Sequence, residues 1–222
     1  MNYRAVLFDF DYTLADSTRG IAECINYALA EMGWPAASAV AISETVGLSL
    51  SDTLCRLNRS ATPQQCAEFS RHFIARADQV MVASTTLYDT TRTVIPDLKQ
   101  RGLAIGVVST KYRHRIEGVL ERERMRKYFD IIIGGEDVAQ HKPHPEGALK
   151  AVEALGLAAK DILYVGDSVV DAETARRARL PFVAVLTGVT VQHAFAGYAP
   201  IAILDSLARV PELLNNHSSS RE

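Results

Sequence analysis

Tryptophan is nearly absent from this chain, with one in 222 residues, and cysteine is scarce at three. Cys24, Cys55 and Cys66 are odd in number and none stands in C-x-x-C spacing, so neither a disulfide framework nor a zinc site is indicated. They read as small apolar fillers. No stretch is both long enough and free enough of charge to span a bilayer, so a soluble chain is expected. An excess of one charge is missing too: 24 Lys and Arg against 26 Asp and Glu leave -2. Without a clustered basic excess, neither nucleic acid nor a membrane is expected as partner. Residues Met1 to Leu7 have no basic start, no apolar stretch of signal length and no small-residue cleavage site, so a cytoplasmic location is expected. One basic run stands out, Arg113 to Lys127, but Glu117, Glu121 and Glu123 alternate with it at helical spacing. That pattern predicts a solvated helix face with i to i+4 pairs.

What is present is an ordinary globular balance, 48% hydrophobic and 23% charged. The run Tyr3 to Phe8 is short, apolar, rich in strand formers and ends abruptly in carboxylates, as a buried strand does. Similar runs follow at Leu103 to Val108, Ile131 to Ile133, Ile162 to Val165, Phe182 to Val185 and Ile201 to Leu204. Strands alternating with helices imply parallel pairing through helical crossovers and a sheet covered on both faces. The predicted fold is a doubly wound, Rossmann-like α/β core. Ser17 to Ala83 interrupts the alternation, because Ile21, Ile25, Ala28, Leu29 and Met32 recur there at helical spacing without a convincing strand. Gly33-Trp34-Pro35 ends the first helix of this insert, and Thr62-Pro63 opens a long one toward Val82. The tail Ser218-Ser219-Ser220 reads as a frayed end or an expression remnant.

Ligands of open α/β sheets bind beyond the carboxyl ends of the strands, which singles out four places. Asp9-Phe10-Asp11-Tyr12-Thr13 follows the first strand; alternation points Asp9 and Asp11 the same way, where they repel unless a cation lies between them. Ser109-Thr110-Lys111 offers hydroxyls and turn amides for phosphate oxygens. In His141-Lys142-Pro143-His144-Pro145 two prolines stiffen the chain around one lysine, and both histidines read as surface residues. Gly166-Asp167-Ser168-Val169-Val170-Asp171 adds a tight turn and two more acids. Acids, a lysine and hydroxyls at strand ends form an oxygen-rich site for a hard cation such as Mg²⁺.

These four segments, in this order from Asp9 to Asp171, resemble the haloacid dehalogenase-like superfamily, whose motifs are D-x-D-x-T, a strand-end Ser or Thr, a lysine and G-D-x-x-x-D. The match is to its phosphatases and to the group holding phosphoglycolate phosphatases and β-phosphoglucomutases. The resemblance implies a Mg²⁺-dependent phosphohydrolase acting on a small phosphate monoester. It makes Asp9 the nucleophile that carries an aspartyl phosphate and Asp11 the general acid and base. It gives Mg²⁺ to Asp9, the Asp11 backbone carbonyl and Asp167. Ser109 then bonds a phosphoryl oxygen, and Lys142 steadies charge on Asp9 and the phosphoryl group. Asp171 orients Lys142 or a water on the metal, with Thr110 and Thr13 in support.

Residues 16-83 stand where the superfamily often inserts a helical cap, between core segments 1-15 and 84-222. Thr45 to Leu50, with Gly47, resembles the cap loop that dips toward the site, and Arg19 is a candidate for an anionic substrate. Tyr12 replaces the Gly common in the phosphatase pattern and is expected to narrow the leaving-group pocket. Leu87-Tyr88-Asp89-Thr90 departs from the frequent Tyr-Pro-Gly. Phosphomutase activity is the nearest alternative, a non-catalytic phospholigand-binding module a further one, and Asp11 argues against dehalogenation. The expected partner is a small phosphorylated metabolite, and the expected state a monomer or weak homodimer.

Overall fold

An apolar strand buried on both faces needs helices above and below it, and the computed structural model, which describes residues 3–218, is built that way. β1 (Ala5–Phe8) leads to a short β2 (Ala15–Asp16), then to helices α1 (Thr18–Glu31), α2 (Ala39–Ser43), α3 (Leu50–Leu57) and α4 (Pro63–Ser84), and to β3 (Thr86–Leu87). Alternation then begins: α5 (Asp89–Gln100), β4 (Ala104–Val108), α6 (Arg113–Arg122), β5 (Ile131–Ile133), α7 (Glu146–Leu155), β6 (Ile162–Gly166) and α8 (Val169–Ala178). β7 (Phe182–Val185), β8 (Ala202–Leu204) and α9 (Val210–Ser218) complete it. Ser218 closes α9, while Ser219 and Ser220 of the serine tail, like Met1 and Asn2, lie outside the described residues.

The main sheet runs β5-β4-β1-β6-β7-β8, with every pairing parallel. All six predicted strand runs enter it, shifted by a residue or two at their ends. Side chains alternate between faces. Val6, Phe8, Val107, Leu163 and Val183 pack with residues of α5, α6 and α9, such as Ile95, Leu98, Ile116 and Val210. Ala5, Leu7, Tyr164, Phe182 and Ala184 pack on the other face against Ala148 and Ala151 of α7 and Ala172 and Ala175 of α8.

Helices α1 to α4 share a third apolar cluster, with Ile25, Leu29, Phe69, Phe73 and Met81 at its centre. Its boundaries follow from capping chemistry. Thr62 takes the Gln65 amide at 3.3 Å while the Gln65 side chain takes the Thr62 amide at 2.9 Å, with Pro63 next in line. α1 stops where Gly33 takes φ +72° and the Trp34 amide turns back to the Leu29 carbonyl at 2.8 Å. Both crossings between this cluster and the sheet pass through an antiparallel ribbon, Ala15 opposite Leu87 and Asp16 opposite Thr86. Two residues per strand are too few to show a period in sequence.

Two sequence expectations need correction here. The Arg113 to Lys127 segment is not only a solvated face. Arg115 is 3% exposed, and its guanidinium donates to Asp78 of α4 at 2.7 and 2.9 Å and to the Ile74 carbonyl at 3.2 Å. Arg122 donates to the Val82 and Thr85 carbonyls, so the segment grips α4 as well as pairing with itself through Arg122–Glu123 and Arg126–Glu117. Cys24 and Cys66 are buried fillers, but Cys55 is exposed, its sulfur 3.8 Å from that of Cys66.

Burial pushes the Asp78 carboxyl up, but hydrogen bonds from Arg115 and His114 outweigh it and hold the group below its usual range. A carboxyl lowered by folding stabilises above its unfolded value and loses that contribution as pH falls through the folded one. Asp78→Asn leaves the buried Arg115 short of its partner and is expected to cost about 1–3 kcal/mol at pH 7. Thermal unfolding followed against pH should show the gap begin to close below about pH 4, where the unfolded carboxyl takes up its proton, and vanish once the native carboxyl, held lower, is neutralised too.

Candidate active site

The chain leaves β1 toward β4 and β5 on one side and returns to β6, β7 and β8 on the other, so a crevice opens at the carboxyl end of β1. Each sequence-predicted acid or hydroxyl enters from a neighbouring strand end. The Asp9 amide, just past β1, donates to the Val165 carbonyl at 3.0 Å, and the Ser109 amide, just past β4, donates to Ile133 at 3.0 Å. Asp167 follows β6, and Lys142 comes from the loop before α7. Asp171 sits in the first turn of α8, where its amide donates to the Ser168 hydroxyl at 3.2 Å and its carboxylate accepts from that hydroxyl at 2.6 Å. The acid is thereby fixed by a capping box.

Oxygens of Asp9, Asp167 and Asp171 all lie within 4.8 Å of one another, and all three residues are buried. Lys142, 7% exposed, donates to Asp171 at 2.7 Å and lies 2.9 Å from Asp9 Oδ1. The second contact joins charges without hydrogen-bond alignment, so Asp9 Oδ1 is buried with no hydrogen-bond donor. Burial, together with the charges of Asp171 and Asp11, pushes the Asp9 carboxyl up to about 6 despite Lys142. Burial and the charges of Asp171 and Asp9 push Asp167 well above the carboxylate range. Burial lowers Lys142, but Asp171 and Asp9 reverse this and hold it firmly protonated. Three carboxylates face one ammonium, an imbalance that a divalent cation corrects. The donors are all hard oxygens, one has no hydrogen-bond partner, and Asp167 accepts from Thr13 at 3.1 Å, so the residues fit Mg²⁺.

Asp11 does not turn its carboxylate into this cluster. The chain bends at Tyr12, which takes φ +62°, and the Thr187 hydroxyl donates to the Tyr12 carbonyl. Such a φ is one that a glycine adopts freely, so the tyrosine sits in the conformation the commoner residue would favour. The Asp11 carboxylate instead receives Lys111 Nζ at 2.9 and 3.0 Å and the Ser17 hydroxyl at 2.5 Å, and Ser17 is 3.0 Å from Thr85. The sequence places Lys111 only in a phosphate cradle. Its own charge was the overlooked signal.

A cavity of about 260 Å³ lies between the sheet edge and the helical unit. Asp11, Thr110 and Lys111 line one side, and Gly47, Phe73 and Met81 line the other. Gly47 takes φ +88°, and its carbonyl accepts from the Thr110 hydroxyl at 3.3 Å, so its loop does reach the site. Tyr12 is outside the lining, with its hydroxyl 3.2 Å from that of Thr18; it does not narrow this cavity. Arg19 is exposed on α1 and also outside it. His141 is no surface residue: it lines the cavity, and its Nδ1 is buried without a hydrogen-bond partner.

Comparison with known proteins now decides the family. The profile of the haloacid dehalogenase-like hydrolases matches residues 6–185. The chain belongs to that family. A phosphoglycolate phosphatase of Yersinia pseudotuberculosis is 32% identical, the match covering 92% of this chain and 90% of that protein. Pyrophosphatase PpaX of Oceanobacillus iheyensis is 29% identical, over 93% and 94% of the two chains. The crystal structure of a haloacid dehalogenase-like hydrolase candidate from Bacteroides fragilis superposes with a TM-score of 0.90 at 40% identity, covering 93% of this chain and 99% of that one. Among the described residues, no helix of this hydrolase is long and apolar enough to cross a membrane.

Sequence reasoning also missed Gly188, where a Cβ would stand 1.9 Å from Asp167 Oδ2. Gly188→Ala therefore has to displace that acid, and a displacement on the ångström scale is expected to cost about 10²-fold in hydrolytic rate. Gly197→Ala, with nothing within 4 Å of its Cβ, should leave the rate unchanged. Equal rates for the two variants, with folding checked by circular dichroism, would refute this reading of Gly188.

Proposed function

We propose that this hydrolase is a Mg²⁺-dependent phosphatase that cleaves a small phosphate monoester through an aspartyl phosphate on Asp9. The observation that carries the reading is the state of Asp9 Oδ1: buried, beside an ammonium, and without a hydrogen-bond donor. A buried carboxylate oxygen whose cationic neighbour sits off hydrogen-bond alignment keeps a lone pair open toward phosphorus. Similarity to a phosphoglycolate phosphatase and a pyrophosphatase over nearly the whole chain supports the same chemistry.

Asp9, Asp167 and the backbone carbonyl of Asp11 would hold the ion. When bound, Mg²⁺ supplies positive charge that offsets the repulsion between the phosphoryl group and the carboxylates. Asp9 attacks phosphorus and forms a P–O bond as the ester P–O bond breaks. Lys142, fixed by Asp171, steadies charge on Asp9 and the phosphoryl oxygens. The Ser109 hydroxyl and the Thr110 amide take phosphoryl oxygens, while Thr13 holds Asp167. Asp11 protonates the departing oxygen and then takes a proton from the water that hydrolyses the aspartyl phosphate. Helices α1 to α4 serve as a cap over the leaving group, with Gly47 framing its entrance. Arg19, exposed and away from the cavity, has no role in this scheme.

Phosphate release from a panel of small monoesters, with Mg²⁺ or with EDTA, tests the proposal. Release is expected only with the metal and should fall to background in Asp9→Asn. Release that survives Asp9→Asn would rule out the covalent step, and isomerisation without release would identify a mutase.

A further inference from the structure

The cavity carries charge of the opposite sign to the acid cluster beside it. Asp11 is the sole carboxylate in its lining, whereas Lys111 and Arg115 both line it. The counterion of Arg115, Asp78, lies outside the lining. Lys111 is 8% exposed, and an ammonium that deep is costly unless acceptors surround it. Its three protons have three acceptors: both oxygens of Asp11, at 2.9 and 3.0 Å, and Ser17 Oγ at 3.2 Å. Serving a leaving oxygen draws Asp11 away from Lys111. The ammonium then faces a cavity with no other carboxylate to receive it.

From this we infer that Lys111 binds a second anionic group on the substrate, set no more than one or two atoms beyond the oxygen that leaves phosphorus. The distance limit follows from Asp11, which touches both the leaving oxygen in the proposed reaction and Lys111 in the structure. Carboxylate and phosphoryl groups both meet the requirement. The Thr110–Gly47 contact, next in sequence to Lys111, closes the cap loop over the same spot. The inference deepens the phosphatase reading above and rests on its role for Asp11.

Affinity measured without turnover separates the two. In the Asp9→Asn background with Mg²⁺, calorimetry compares 2-phosphoglycolate, pyrophosphate and 2-hydroxyethyl phosphate, in which an alcohol replaces the carboxylate. The two ligands with a second anionic group should bind about 10- to 100-fold tighter than the alcohol, the range of one charge-assisted hydrogen bond. Which of the two binds better distinguishes a carboxylate from a phosphoryl group. Adding Lys111→Met, which keeps an unbranched stem, should remove most of that gap, and Lys111→Arg should keep most of it. In the active enzyme the same loss should fall mainly on KM for the substrates with a second anionic group. A gap that is absent with Lys111 in place overturns the inference, with no need for a folded Lys111 variant. So does Lys111→Met weakening all three ligands by one factor, the result expected of a merely structural ion pair. Failure of the native enzyme to release phosphate from any of them would instead count against the preceding proposal and leave the affinity gap to be judged alone.

Discussion

Repulsion among buried carboxylates is the constraint around which this molecule is organised. The fold brings Asp9, Asp167 and Asp171 together because parallel strands end side by side, and the apolar sheet beneath denies them water. One lysine does not neutralise three acids. The strain is visible in the raised carboxyls of Asp9 and Asp167 and in a Lys142 ammonium held well above its ordinary range. An oxygen-lined, over-negative cluster of this kind stores affinity for a hard divalent cation.

The two lysines divide the site between them. Lys142 belongs to Asp9, and Asp171 aims it from the rigid first turn of α8. Lys111 belongs to Asp11, on the side of the cavity that the helical unit covers. The bend at Tyr12 produces this separation, turning two acids only two residues apart toward different cations. The proposed nucleophile and the proposed proton donor thus occupy different electrostatic surroundings, as two carboxylates with different tasks require.

Much of this was readable from the sequence, because strands covered on both faces announce themselves as apolar runs and the residues after them are the ones the crevice collects. The six strands of the sheet, the Thr62 cap, the end of α1 at Gly33 and the meeting of Asp9, Lys142, Asp167 and Asp171 all follow from local pattern. What escaped depends on contacts between distant segments. Lys111 reaches Asp11 across 100 positions, and Arg115 reaches Asp78 across 37. Gly188 matters only because Asp167 passes close to it. The expectation that Asp9 and Asp11 face the same way assumed that the strand continues, whereas β1 ends at Phe8. Arg19 has the charge a substrate anion would need but lies exposed outside the cavity, and charge without position says little about a site.

The most direct test of the central claim is thermal unfolding of the native protein and of Asp167→Asn, each with and without Mg²⁺. If cluster repulsion governs the site, Mg²⁺ raises the melting temperature of the native protein. Asp167→Asn then melts higher than the native protein in the absence of metal and has lost the response to Mg²⁺. A native protein indifferent to millimolar Mg²⁺, together with an Asp167→Asn variant that melts lower without it, would contradict the account.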